Sequence, residues 1–257
     1  MTVATFTSVI NQLLPEPHAG LLNGIIFGTK AAIPRELYDA LVTTGTLHIV
    51  ALSGMNITII VRVMHAAFLR MVSRRITNLL TILFIAGFVW FVGPSASVIR
   101  AAIMGSLVLL ATVLGRQNWS MFTFALTCAV MILIKPQWIG DLSFQLSALA
   151  TLGILLFART TGNPITDDLR VTLSAQVFTI PLILFTFQRI SFISPLTNIL
   201  IGWVIPILTP LGMAVALAGW MFLPLGQVFS WAAWVLLEYL IIVIEWTAKI
   251  PFASVGK

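Results

Sequence analysis

Residues 190–237 carry no charged side chain at all. That stretch is long enough for two membrane spans of ~20 residues each. A soluble domain cannot leave so long a segment without charge, because polar groups must cover its surface. Four more uncharged runs point the same way, at 76–92, 101–115, 142–158 and 171–188. Charged residues make up only 9% of the chain and hydrophobic ones 59%, against about 25% charged in an ordinary soluble domain. One membrane domain is expected, not several soluble ones. Residues 1–14 lack the basic and apolar regions of a secretory signal, so insertion through the chain's own spans is expected.

Helices satisfy every backbone group within one segment, and these runs are too long and unbroken for barrel strands. The expected fold is all-α, a polytopic transmembrane helical bundle of about eight or nine spans, with broken or kinked helices. The spans are placed at 47–64, 76–92, 96–114, 119–134, 138–158, 171–187, 195–208, 209–223 and 228–244. The pair 195–208 and 209–223 also reads as one broken helix, and Pro206 and Pro210 should kink it. Residues 1–46 mix Pro15, Pro17, Lys30, Pro34 and Arg35 with a short apolar patch at 21–27. They read as an N-terminal interfacial or partly inserted segment, and 47–257 as the transmembrane domain.

Lys and Arg in short loops set orientation. Arg70, Arg74 and Arg75 cluster after the first span; placing them in the cytoplasm also puts Arg116, Arg159, Arg170, Lys249 and Lys257 there. Only Lys135 and Arg189 remain opposite, joined by Lys30 and Arg35 if the N-terminal segment faces out. The net charge of +6 follows from such a bias alone and does not by itself imply nucleic acid. The single cysteine, Cys128, excludes an internal disulfide and reads as a small core residue. No cofactor and no metal site are expected. The segment GIIFGTK at 24–30 misses the spacing of a phosphate loop and follows no strand, so an ATPase would be a separate protein.

Polar side chains inside spans are functional candidates. His48, Ser53 and Asn56 lie in LHIVALSGMNITII, where His48 and Asn56 point roughly 80° apart on an unbroken helix. They would border one cavity there or bond neighbouring helices. Ser53-Gly54 offers a break or a close approach. Arg62 reads as a snorkelling residue. Arg100 lies one and a half turns past Pro94, and at mid-depth it costs ~2.5–3.5 kcal/mol. It either snorkels outward or faces a pore, where its guanidinium would attract phosphate. Asp141 reads as a cap or an interfacial group, and Gln145, one turn deeper, as a bond to another helix. Glu238 and Glu245 share a face of the last span. Glu238 needs a partner, Arg100 or Arg62, or else a proton.

The motif order is LPEPHAGLLNGIIFG at 14–28, TGTLHIVALSGMN at 44–56, GPSASVIRA at 93–101, LGR at 114–116, DLSFQLSALATLGI at 141–154 and SPLTNIL at 194–200. In that order and extent it resembles the competence domain of ComEC-type proteins. The resemblance implies a membrane channel that passes one DNA strand across the bacterial cytoplasmic membrane in natural competence. It sets His48, Ser53, Gly54, Arg100, Gln145 and Asn198 at positions matching the family's motifs, whereas Asn56 replaces the histidine common after the SG pair. The partners it implies are single-stranded DNA, the lipid bilayer, a separate cytoplasmic ATPase and DNA-receptor proteins. A homo-oligomer is compatible with it.

Many relatives add an oligonucleotide-binding domain and a metallo-β-lactamase-like nuclease. With only His18, His48 and His65, this chain cannot supply that nuclease's metal cluster, so no enzymatic role is expected of it. Whether the chain is a minimal protein, a split one or a fragment stays open. Two other readings remain: a small-solute or lipid transporter, from the broken helices near Pro206 and Pro210, and an intramembrane hydrolase using Ser53 with His48. The hydrolase is disfavoured because those two residues fall on different helix faces and Ala51 spoils a GxSG pattern.

Overall fold

A computed structural model describes residues 2–29, 33–50, 52–158, 162, 164–187, 189–250 and 254–256. Met1, Lys30, Ala51, Arg159, Gln188 and Lys257, each invoked above, lie outside them. Thirteen α-helices and one 3-10 helix follow in order among the described residues. They are α1 (Val3–Leu13), α2 (His18–Phe27), α3 (Arg35–Thr43), α4 (Leu47–Val50), α5 (Gly54–Leu69), α6 (Arg74–Val92) and α7 (Ala96–Val113). Then come α8 (Ser120–Ile134), a short 3-10 helix (Pro136–Gly140), α9 (Leu142–Phe157), α10 (Pro164–Phe187), α11 (Ser194–Gly202), α12 (Ile205–Met221) and α13 (Leu223–Ala248). One feature lies outside an all-α reading: strand β1 (Arg189–Ser191) pairs antiparallel with β2 (Ser254–Gly256), Ile190 opposite Val255.

The membrane reading holds at the level of a helical bundle, but the expected number of spans does not. Among the described residues, four stretches are long and apolar enough to cross a bilayer: α6, α7, residues Leu169–Thr186 of α10, and α13. The pair α11 and α12, bent by 54°, makes up to five. The shortfall from eight or nine has a physical cause: apolar composition continues past the points where helices stop. Ser53 ends the expected 47–64 span early by accepting a hydrogen bond from Asn56 N at 3.3 Å, which starts α5. Asp141 does the same for α9 by accepting from Phe144 N at 2.9 Å, after the 3-10 helix has interrupted 138–158. Helices of 15 or 16 residues, such as α8, α5 and α9, reach only ~24 Å against a hydrocarbon core of ~30 Å.

The proline-rich stretch breaks where the chain can afford it. The bend falls at Trp203 and Val204, so that Pro206 sits in the first turn of α12, where its missing N–H costs nothing. Pro210 lies inside α12 without ending it.

Two groups of helices share the fold. A continuous apolar core joins α1, α2, α3 and α4 to α11, α12 and α13, with Ile10, Leu22, Ile26, Leu208, Val215 and Leu237 at its centre. Helix α2 is buried along its whole length among α1, α4, α12 and α13. The second group runs from α5 to α10, and α5 joins the two by packing on α6, α7 and α12. Close approaches rely on missing side chains. A Cβ at Gly153 of α9 would collide with the Ser174 carbonyl oxygen of α10, and one at Gly226 of α13 with the Gly219 backbone of α12. We expect Gly153→Ala and Gly226→Ala each to cost about 1–3 kcal/mol by forcing these helices apart. Gly105→Ala, whose nearest neighbour is Ile85 Cδ1 at 3.9 Å, is expected to be tolerated. Melting curves in detergent check this; equal Tm values for all three variants would refute the close-approach reading.

Candidate functional site

Arg100 lies on α7 with 9% of its surface exposed, enclosed by α5 and α9. Its Nε donates to Ser147 Oγ on α9 at 2.9 Å, and Nη1 reaches Met104 Sδ one turn along α7 at 3.4 Å. The rest of the guanidinium rests against the start of α5. A Cβ built on Gly54 would stand 3.1 Å from Nη2 and 3.2 Å from Ala101 Cβ, so glycine there leaves the cation its room. Among the described residues no carboxylate pairs with Arg100. A cavity of about 290 Å³ opens beside it, lined by Gly54, Met55, Thr58, Met104 and Gly105 as well. The first amides of α5 have no acceptor within their own helix, and its positive end stands next to this cation. Both features favour an anion.

Apart from Gly54, the other expected site residues do not gather around Arg100. Asn56 is buried on the opposite side of α5, where its Nδ2 donates to the Ile25 carbonyl of α2 at 2.7 Å. His48 is exposed, with Nδ1 at 3.1 Å from the Gly45 carbonyl. His48 and Asn56 therefore bond different neighbours, and Ser53 spends its hydroxyl on capping α5, with no hydrogen bond to His48 among the described residues. Gln145 on α9 bonds the adjacent 3-10 helix, its Nε2 donating to the Ile139 carbonyl at 2.7 Å. Asn198 turns to its own helix, Nδ2 donating to Ser194 Oγ at 3.3 Å, a hydroxyl that also accepts from Gln176 Nε2 on α10. Arg62 is exposed. Residues 24–27 of GIIFGTK are helical, and Gly28 ends α2 in the left-handed region at φ 74°.

Glu238 finds a partner, and it is neither Arg100 nor Arg62. Its Oε2 lies 2.7 Å from His18 Nε2, joining α13 to the start of α2. The His18 ring also stacks on Trp234, one turn earlier on α13, at 5.4 Å between centroids. Spacing along α13 sets Trp234 and Glu238 on one helix face, but nothing local in the sequence points to His18. Two further polar links escaped the sequence reading: Asn23 Nδ2 donates to Asn11 Oδ1 at 2.7 Å, and His65 Nε2 meets Asn78 Oδ1 at 2.9 Å. Both tie adjacent helices.

The His18–Glu238 contact spans the first group of helices, so breaking it should loosen α2. We expect a double-mutant cycle with His18→Phe and Glu238→Leu to show a coupling of about 1–3 kcal/mol in detergent melts. Additive effects would mean that the pair carries no stability.

Comparison with known proteins places these observations in a family. A model of the Competence protein family matches residues 25–256. ComE operon protein 3 of Bacillus subtilis (strain 168) is 26% identical over 230 residues, covering 87% of this chain and 29% of that protein. An uncharacterized protein of Aquifex aeolicus (strain VF5) is 30% identical over 196 residues, covering 76% of this chain and 45% of that protein. The chain thus spans less than half the length of either relative, and no solved structure matches it. With the family match running from the end of α2 to β2, this chain belongs to the Competence protein family.

Proposed function

We propose that this chain forms the membrane channel through which single-stranded DNA crosses the bacterial cytoplasmic membrane during natural competence. The observation that carries the reading is Arg100, a buried cation without a carboxylate partner among the described residues, beside a cavity and the start of α5. A charge held within an apolar helix is costly, and chains usually neutralise it with a partner of opposite sign. Here its protein neighbours are a hydroxyl and a thioether. Phosphate oxygens would complete it, with the guanidinium as a planar donor. Membership of the Competence protein family, and similarity to ComE operon protein 3, agree with a role in DNA uptake.

Strand passage needs such help, because hydrocarbon does not accept phosphate charge. Movement toward a negative interior also costs ~2.3 kcal/mol per charge per 100 mV where the full field acts. A cytoplasmic ATPase, as a separate partner, would supply the pull, and receptor proteins would deliver the strand. The chain itself would act as a conduit and not as an enzyme.

Uptake of labelled DNA tests this in cells lacking the gene. DNA should stay outside the cytoplasmic membrane, and the wild-type gene should restore internalisation. Arg100→Ala should lower it roughly tenfold to a hundredfold, the loss of a charge-assisted contact, with Arg100→Lys in between. Unchanged internalisation without the gene ends the channel reading. The bent α11–α12 pair would then favour a small-solute transporter.

A further inference from the structure

A second cavity, of about 610 Å³, lies where the two groups of helices meet. Helices α1, α2, α5, α6 and α12 all contribute to its wall, and no polar side chain lines it. Its floor is closed by Phe27, Ile60 and Phe88, all buried. Its rim carries Val63 and Leu217, each 47% exposed, so it opens sideways onto the apolar face of the bundle. We propose that this cavity holds one acyl chain of a membrane phospholipid as a bound component of the fold.

Size and chemistry select that occupant. An apolar cavity does not retain water, and one of ~150 Å³ takes a single benzene, so this one has room for roughly 15–25 carbons. A partner helix would seat no more than about one and a half turns there, because one turn of a cylinder ~10 Å across occupies roughly 420 Å³. The medium at the rim supplies long alkyl chains and little else.

Gly87 adds an independent observation. It lies in the middle of α6, where glycine weakens a helix relative to alanine. Elsewhere in this fold, Gly153, Gly212 and Gly226 make room for neighbouring protein atoms. Gly87 is exposed and lines this cavity, and a Cβ there would meet no protein atom within 4 Å, so it marks the open, lipid-facing side of the space. An alkyl chain seated there would touch α5, α6 and α12 together and wedge the helix that carries Gly54 against the kinked pair. The inference is independent of DNA conduction.

The full chain, reconstituted in phosphatidylglycerol vesicles doped with a phospholipid bearing a diazirine in its acyl chain, provides the test. Photolabelling should favour peptides containing Met64 and Met213 severalfold over exposed apolar surface such as Leu133 and Phe185. Gly87→Phe, which adds a ring at the open side of the cavity where a Cβ meets no protein atom within 4 Å, should remove that excess and leave the rest unchanged. Should that variant fail to fold, Ala214→Leu narrows the same space from α12. Even labelling of wild type overturns the proposal without any variant. So does an excess that survives filling of the cavity, or a crosslinked dimer through these residues.

Discussion

Hydrocarbon offers no hydrogen bond to a peptide group, and this one constraint organises the chain. Each backbone donor and acceptor at depth must find its partner within a helix, at a cap or on a side chain. The interruptions accordingly come with caps. Ser53 and Asp141 each supply an oxygen to the first turn of the helix they start. The α11–α12 bend falls just before Pro206, where α12 begins and a donor would be unpaired in any case. Buried threonines return their hydroxyls to carbonyls one turn back, as Thr209 does to Ile205 at 2.8 Å.

With the backbone settled, the polar side chains divide into two kinds. Asn56, Asn23, His18 and Glu238 reach across helix boundaries and hold α2 in place, which is structural work. Arg100 makes one bond to a hydroxyl and one long contact to sulfur, and it faces a cavity. A cation held this way is the exception in an apolar setting, and that contrast singles it out more firmly than its position in a motif does.

Much of the fold was legible in the sequence, and what was not has physical causes. Long uncharged runs located α6, α7 and α13, because composition alone decides which segments tolerate lipid. Span number failed because hydropathy does not register caps: residues 138–158 look continuous, yet the 3-10 helix and Asp141 divide them. Arg100 was legible because a charge within an apolar run is conspicuous. The partner of Glu238 was not, since His18 lies 220 residues away and no local pattern links them. The partner of Gln145 is nearby in sequence, a carbonyl six residues back, but the 3-10 helix that presents it has no signature in hydropathy.

That long separation also bears on how the molecule is made. At ~5–20 residues per second, roughly 10–45 s pass between synthesis of His18 and that of Glu238. For most of that interval α2 lacks the α12 and α13 surfaces that later enclose it. Helices α1 to α4 must therefore remain in a provisional arrangement until α13 emerges. Their shared core with α11, α12 and α13 closes only then, and any event that stalls translation before α13 leaves α2 without its permanent neighbours.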